Sequence, residues 1–315
     1  MKLKELIESI DNIDKNGIPN WMLGYYKRNS ISFYNGKSDF ITDVCWFQSR
    51  SFTIDLRLPK RRLEKKDIMS YSKYELKEIS NYEGWIANST YNGEKLFWEG
   101  GVSYLNITKW PEPAFVRKIG NCMIEFCPSN AFVEDWRFQN SKNGCMVGLE
   151  LLEEINLTTN ETMRNSGGLI ISGEYAAICL GRDTLTEKRF NEINSSLEEI
   201  LLSNKFNNEE KTKFLNFETS VARGSLNDGY DVILSTNPNR YDEKLLDLDG
   251  FEFDEENKLV HQVFEENNNK IKRIYKIDMI DSSFKFEDTT STTKEAEKWF
   301  KKESNTMNRY LEVKK

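Results

Sequence analysis

The sequence predicts a mainly β protein, built as an antiparallel barrel or sandwich, with a helical insertion and a helix near each end. Short stretches of alternating apolar and polar residues recur over most of the chain, and Gly and Asn separate them at intervals of about 8–12 residues. Apolar residues at helical spacing occur near both ends and across residues 184–218. Together these patterns favour sheets interrupted once by helices.

The chain opens with an amphipathic helix over residues 2–14, where the apolar positions at helical spacing are Leu3, Leu6, Ile7 and Ile10. Between residues 21 and 59 the pattern changes to period two, which is typical of strands. Residues 42–48 and 52–58 alternate in this way, and a short polar link joins them. We therefore predict a hairpin here.

Further strands are predicted after a short helical segment at residues 71–80. Gly and Asn punctuate them, and Asn92-Gly93 supplies the positive φ of a tight turn. The predicted strands cover residues 82–90, 95–107, 121–127, 131–139, 144–156, 168–173 and 175–181.

Helical spacing returns at residues 184–218, which begin with the capping sequence Thr184-Leu185-Thr186-Glu187. Strands resume at residues 219–225, 229–236, 258–266 and 270–280, and the last two form a hairpin. A final helix from Thr292 runs through Ala296, Trp299 and Phe300. We expect this helix to pack onto the barrel.

Composition excludes several classes of protein. The 315 residues carry a net charge of -7 and include a single histidine, His261. No apolar run approaches the roughly 20 residues that cross a bilayer, and the N-terminus lacks the apolar stretch of a signal peptide. An acidic chain argues against a nucleic-acid partner, and one histidine argues against a metal site. We predict a soluble protein without membrane or nucleic-acid partners.

Cysteine and glycine usage bears on compartment and cofactors. The five cysteines form no C-x-x-C pair and lie among apolar or aromatic neighbours, which is typical of buried reduced thiols in the cytoplasm. The chain contains no P-loop, no G-x-G-x-x-G and no G-x-S-x-G motif. We therefore expect a cytoplasmic protein without a cofactor.

Two Asp-x-Arg triplets are the most suggestive local pattern. Asp55 and Arg57 share one strand face, as do Asp135 and Arg137, because residues i and i+2 project from the same side. If that side faces a barrel interior, each pair must be hydrogen-bonded or matched by a polar ligand. If it faces solvent, each is an ordinary surface ion pair.

Four carboxyl groups are candidates for acid–base chemistry. Glu125 and Glu134 have apolar neighbours, and a buried carboxyl with a raised pKa can serve as a general acid or base. Glu134 and Asp135 alternate, so only one of the two can point inward. The candidate catalytic residues are Asp55, Glu125, Glu134 and Asp135, with Arg57 or Arg137 stabilising negative charge.

Several of these stretches together resemble the signature of the Hri-type proteins, lipocalin-like proteins of yeasts and bacteria. The matching residues are Thr42-x-Val44-x-Trp46-Phe47-Gln48, Asp55-Leu56-Arg57-Leu58-Pro59 with Arg61, Trp98, Glu134-Asp135-Trp136-Arg137, and Gly168-Leu169-Ile170-Ile171-x-Gly173-Glu174-Tyr175 closing at Gly181-Arg182. The resemblance covers residues 21–183 and implies two calycin-like β-barrel units, or one elaborated barrel pair, in a single chain.

With this resemblance, we divide the chain into a barrel domain with the N-terminal helix (1–183), a helical bridge (184–218) and a second β-rich unit with the C-terminal helix (219–315). The expected ligand-binding residues are Trp46, Gln48, Arg57, Trp98, Trp136, Arg137 and Arg182.

Three functions remain open at the level of sequence. The first is a binding protein that holds a small, partly apolar ligand in a barrel cavity, since barrels of about eight strands leave room for one. The second is a cofactor-free isomerase, cyclase or dehydratase that uses the barrel carboxylates and arginines. The third is a protein-interaction module.

Overall fold

The computed structural model describes residues 1–10, 13–14, 16–67, 70–106, 112–140 and 143–311, and within them the chain is mainly β. The described helices are α1 (Leu3–Ser9), α2 (Lys73–Ile79), α3 (Thr184–Glu192), α4 (Leu197–Leu202), α5 (Asn208–Leu215) and α6 (Lys294–Leu311).

The strands form two antiparallel sheets. The first ten strands are β1 (Ile13–Asp14), β2 (Gly24–Phe33), β3 (Ser38–Asp39), β4 (Asp43–Gln48), β5 (Phe52–Leu58), β6 (Glu83–Tyr91), β7 (Lys95–Ser103), β8 (Ala114–Ile119), β9 (Cys122–Phe126) and β10 (Phe132–Phe138). The remaining strands are β11 (Gly144–Asn156), β12 (Glu161–Arg164), β13 (Gly167–Ser172), β14 (Tyr175–Leu180), β15 (Glu218–Ser225), β16 (Gly229–Ser235), β17 (Phe251–Asp254), β18 (Leu259–Glu266) and β19 (Asn269–Phe284).

The first sheet closes into a barrel of eight strands. Strands β4 to β10 pair in sequence order, β2 pairs with β4, and β10 returns to pair with β2. The short β3 adds only to the end of β2. Closure leaves this sheet without a long unpaired edge. The predicted antiparallel barrel and the hairpin of β4 and β5 are thus confirmed.

The second sheet is open. Its strands follow the order β16, β15, β14, β13, β11, β19, β18, β17, with β1 paired to β19 and β12 to β11. Among the described residues, the outer strands β16 and β17 do not pair with each other. One closed barrel and one open sheet therefore replace the two barrels expected from the sequence.

The two sheets use different parts of the chain. All barrel strands lie between residues 24 and 138, and the second sheet, apart from β1, is built from residue 144 onward. Helices α3 to α5 interrupt the second sheet, because β14 and β15, on either side of them, pair directly from Tyr175↔Arg223 to Leu180↔Glu218. Helix α1 packs against this sheet as well, through Leu3 and Leu6.

Part of the barrel's outer wall is covered by one face of the second sheet. The Tyr25 and Phe47 rings stack at 4.3 Å, and Tyr175 of β14 packs on Tyr25 at 4.8 Å. A polar contact joins the two sheets, since Asp278 of β19 accepts hydrogen bonds from Ser49 Oγ at 2.6 Å and Ser51 Oγ at 2.5 Å. Strands β4 and β5 are consequently buried on both faces.

The C-terminal helix differs from expectation. Helix α6 forms where the apolar spacing predicts it, but Trp299 is 55% exposed and Phe300 47% exposed. The expectation that it packs onto the barrel is therefore wrong for these two rings. Apolar periodicity specifies a helix, whereas the surface that the helix covers depends on the rest of the fold.

Candidate binding cavity in the barrel

A cavity of about 530 Å³ enters the barrel. It opens among exposed residues at one end, including Tyr34 and Ser129, and reaches fully buried side chains inside. Strand register explains which side chains meet there, because directly opposite residues on neighbouring strands project to the same face. Trp46 of β4 lies opposite Asp55 of β5, which in turn lies opposite Trp85 of β6.

Four tryptophans wall the cavity: Trp46, Trp85, Trp98 and Trp136. Trp46 meets Trp136 edge-on with centroids 5.3 Å apart, and Trp98 with centroids 6.3 Å apart. Trp85 meets Trp98 at 6.3 Å in the same manner. Edge-to-face contacts of this kind stabilise aromatic pairs beyond the area they bury.

Hydrogen bonds hold two of these rings in place. The indole N–H of Trp46 donates to Gln48 Oε1 at 3.2 Å and Thr53 Oγ1 at 3.3 Å, and that of Trp98 donates to Thr53 Oγ1 at 3.2 Å. Gln48 is fully buried and lies beside the Trp46 ring, outside the residues that line the cavity. Its position fits a support for Trp46, whereas the sequence had suggested direct contact with a ligand.

The first Asp-x-Arg pair lies inside the barrel. Arg57 Nε donates to Asp55 Oδ1 at 2.8 Å, and both side chains are buried. Burial raises the pKa of the Asp55 carboxyl, and the neighbouring Arg57 offsets only part of that rise. Burial lowers the pKa of Arg57, but the nearby carboxylates together outweigh it and raise the pKa, so the guanidinium group stays charged.

Glu134 is the second interior carboxylate and has an arginine of its own. Arg28 Nη1 of β2 donates to Glu134 Oε1 at 2.8 Å, while Arg28 Nη2 donates to Asp39 Oδ2 at 2.6 Å. Arg28 and Glu134 are both buried, so each charge has a close partner away from bulk solvent.

Glu125 is an interior carboxyl of a different kind. It lies opposite Glu134 across β9 and β10, and one of its oxygens accepts a hydrogen bond from Trp136 Nε1 at 2.9 Å. Burial first and the Glu134 carboxylate second raise the pKa of Glu125 to about 8, although Arg57 and the Trp136 hydrogen bond lower it. At neutral pH Glu125 therefore carries a proton and can donate a hydrogen bond.

The second Asp-x-Arg pair lies on the outer face of the barrel. Trp136 points inward, so its neighbours Asp135 and Arg137 point outward, where Arg137 is exposed. Arg137 Nε lies 2.9 Å from Asp135 Oδ1. Neither residue lines the cavity, so the candidate site does not include them.

Arg182 lies outside the cavity too, as a buried connection between the barrel and the helices. Its guanidinium group donates to the carbonyl oxygens of Tyr104 and Phe214, each at 2.6 Å, and to Glu187 Oε2 at 3.1 Å. Its centre lies 4.0 Å from the ring centroid of Phe190. These contacts give Arg182 a structural position in place of the expected contact with a ligand.

Sequence reasoning missed Arg28, Glu83, Trp85 and Glu112. Glu83 and Trp85 lie in a predicted strand, opposite Arg57 and Asp55, but only the register of β5 and β6 brings them into the cavity. The alternation Glu83-Gly84-Trp85 was the available signal, because it places Glu83 and Trp85 on one face of the strand. The residues around Arg28 do not predict its contact with Glu134, because the two partners are 106 residues apart in the chain.

Across the described ranges, no cluster of three or more His, Cys, Asp or Glu side chains is arranged to hold a metal ion. In that same part of the chain, no helix has the length and apolar character needed to span a membrane. Comparisons with protein-family models, with curated proteins and with solved structures found no match to this chain.

Proposed function

We propose that the protein binds one small, partly apolar ligand inside the barrel. The observation that carries this proposal is the cavity of about 530 Å³, walled by four tryptophans and lined at the same time by Asp55, Arg57, Glu125 and Glu134. Ligand sites of this size are commonly apolar with a few fixed polar groups, which orient the bound molecule. The rings would bury the apolar part of the ligand, and the charged groups would fix its polar end.

The polar groups and rings are held before any ligand arrives, which supports binding. Thr53 connects the Trp46 and Trp98 indoles, Asp55 positions Arg57, and Trp136 donates to Glu125. A cavity held in this way loses little side-chain entropy when a ligand enters.

The finer assignments belong to the same proposal. We infer a calycin-like barrel related to the Hri-type proteins, working in the cytoplasm. The closed eight-stranded antiparallel barrel supports the calycin-like character, as do the motif residues Trp46, Trp98 and Trp136, which lie together in the cavity. None of the five cysteines forms a disulfide, which is consistent with a reducing compartment.

Native mass spectrometry of the purified protein, together with a thermal-shift screen of small aromatic compounds, tests the proposal. We expect a bound small molecule, or a compound that raises Tm and quenches tryptophan fluorescence. Trp98→Ala should abolish both effects, whereas Trp299→Ala, which removes a tryptophan from the exposed helix α6, should keep them. Absence of any bound molecule or responsive compound, or equal behaviour of the two variants, would contradict the proposal.

Glu125 favours a second candidate, a cofactor-free enzyme in the same cavity. A buried carboxyl with a pKa of about 8, beside a guanidinium group, is suited to donate and recover a proton during an isomerisation, cyclisation or dehydration. Arg57 would stabilise negative charge that develops on the substrate. Asp55 and Glu134 remain the other acid–base candidates, since both line the cavity.

A metabolite extract incubated with the protein separates this candidate from simple binding. An enzyme would consume a compound and release an isomer, or a product lighter by one water, and Glu125→Gln would stop this while still binding the compound. Glu99→Gln, which changes an exposed carboxylate on β7, is the matched control. If neither the native chain nor the control alters any metabolite, the enzymatic candidate is rejected and binding is retained.

A further inference from the structure

We propose that the polar end of the ligand is an uncharged hydrogen-bond acceptor, such as a ketone or amide oxygen, and that the Glu125 carboxyl donates to it. This inference rests on the proposed binding function and specifies the class of ligand. Glu125 is buried and lines the cavity, where its side chain accepts from Trp136 Nε1 at 2.9 Å. A ligand packed against the Trp136 ring would therefore lie close to this carboxyl.

The pairing of the interior ions assigns a proton to Glu125. Glu125 and Glu134 lie opposite each other on β9 and β10, and two carboxyl groups so placed in a buried site do not both stay ionised. Glu134 forms an ion pair with Arg28 at 2.8 Å, whereas Glu125 forms none among the described residues. The proton therefore belongs to Glu125, in agreement with its pKa of about 8.

The protonated Glu125 carboxyl can donate one hydrogen bond to a ligand. Trp136 donates to Oε2 of Glu125, so Oε1 is the oxygen that carries the proton. Across the part of the chain that the structure describes, the bond from Trp136 is the only hydrogen bond of the Glu125 side chain. A buried hydroxyl without an acceptor costs free energy, and a carbonyl oxygen on the ligand would remove that cost.

The ion pairs around Glu125 disfavour a charged ligand. Arg57 pairs with Asp55 and Arg28 with Glu134, so both of these interior carboxylates already have a cation. An anionic ligand would be repelled by them in a site of low dielectric constant. A cationic ligand would need the ionised form of Glu125, and at pH 7 the release of that proton lowers its affinity about tenfold, because the pKa is about 8.

Ionisation of Glu125 makes ligand affinity depend on pH. From β8, the apolar Val116 lies opposite Glu125. The charged groups that face Glu125 from the other strands are Glu134 of β10 with its partner Arg28 of β2, Asp55 and Arg57 of β5, and Glu83 of β6. The ionised carboxylate has no proton to donate, so affinity for an acceptor ligand should fall as pH rises through about 8.

Three probes that share a phenyl ring and differ in their polar end test the inference: acetophenone, 1-phenylethylamine and benzoate. Titration calorimetry at pH 6, 7, 8 and 9 gives their affinities. At pH 7 we expect acetophenone to bind at least about tenfold more tightly than either ion. Its affinity should fall above pH 8, where calorimetry in buffers of different ionisation enthalpy should show proton uptake on binding.

The carbonyl stretch of acetophenone reports the hydrogen bond itself. With an isotopically labelled carbonyl, difference infrared spectra resolve the band of the bound ligand, which moves to lower frequency when its oxygen accepts a hydrogen bond. We expect the lower frequency in the native chain and in Glu99→Gln, which changes an exposed carboxylate, and a higher frequency in Glu125→Leu. Glu125→Gln keeps an N–H that can donate, so it should bind acetophenone with an affinity independent of pH.

Several outcomes would overturn the inference and leave the proposed binding function standing. They are equal or tighter binding of the amine or of benzoate, the same carbonyl band in the native chain and Glu125→Leu, and a pH dependence that persists in Glu125→Gln. If no probe binds but native mass spectrometry shows a bound molecule, an uncharged molecule with a carbonyl oxygen supports the inference, and any other molecule overturns it. If neither experiment shows binding, the proposed function fails together with the inference.

Discussion

Replacing Glu125 by Gln should change the way in which stability depends on pH. Burial raises the pKa of the Glu125 carboxyl from 4.5 to about 8, so the folded chain holds this proton more tightly than the unfolded chain. The native protein should consequently lose stability as pH rises from about 4.5 toward 8. Gln keeps an oxygen that can accept from Trp136 Nε1 and does not titrate.

The size of the effect follows from the shift in pKa. At about 1.36 kcal/mol per pH unit, and with the unfolded carboxyl already partly ionised at pH 5, the contribution of Glu125 falls by about 2.5 kcal/mol between pH 5 and pH 7. The variant lacks this loss. The difference in unfolding free energy between variant and native chain should therefore grow by about that amount in favour of the variant.

Urea unfolding at pH 5, 6 and 7, followed by tryptophan fluorescence, measures this difference. Glu99→Gln, which alters an exposed carboxylate of the same barrel, should shift stability by nearly the same amount at each pH. If the difference for Glu125→Gln stays constant within about 0.5 kcal/mol across this range, Glu125 is ionised in the folded barrel, and the reasoning on its burial is refuted.

Three other substitutions test the contacts that build the cavity and join the sheets. Arg28→Met leaves the Glu134 carboxylate buried without its cation and should cost about 3–5 kcal/mol in urea unfolding, most of which Glu134→Gln should restore in the double variant. Asp278→Ala removes the acceptor of the Ser49 hydroxyl at the contact between barrel and sheet. We expect the free energy of unfolding to fall by about 2–3 kcal/mol. A calorimetric unfolding profile unchanged from the native one would contradict this role. Gly84→Val places a Cβ 2.5 Å from the Oγ1 of Thr219, a buried residue of β15, and should lower stability by about 1–3 kcal/mol. An unchanged Tm would show that the two sheets can separate at little cost.

The two Asp-x-Arg triplets show how far a local pattern can be trusted. Alternation correctly places Asp55 and Arg57 on one face of β5, and Asp135 and Arg137 on one face of β10. In β5 that face is the interior, because the opposite face packs against the second sheet. In β10 the same triplet faces outward and Trp136 takes the interior. Identical motifs therefore have opposite environments.

The missing residues of the cavity have a similar explanation. Glu83 and Trp85 fit a strand, yet their presence beside Arg57 and Asp55 depends on how β5 and β6 pair. Arg28 and Glu134 meet only because β10 returns to β2 and closes the barrel. Contacts between residues so distant in sequence leave no signature within either segment.

The amino-acid sequence by itself predicted most of the strands, the hairpin of β4 and β5 and the helical segments, because side-chain periodicity and turn residues act over a few neighbours. It did not predict the strands β1, β8, β12 and β17. It also excluded any site that needs two or more imidazole groups, since the chain has a single histidine. Only the tertiary structure decided which strands close into the barrel, which face of each strand lies inside and which arginines pair with the interior carboxylates Asp55 and Glu134. Periodicity specifies which residues share a face, whereas long-range pairing decides what that face meets.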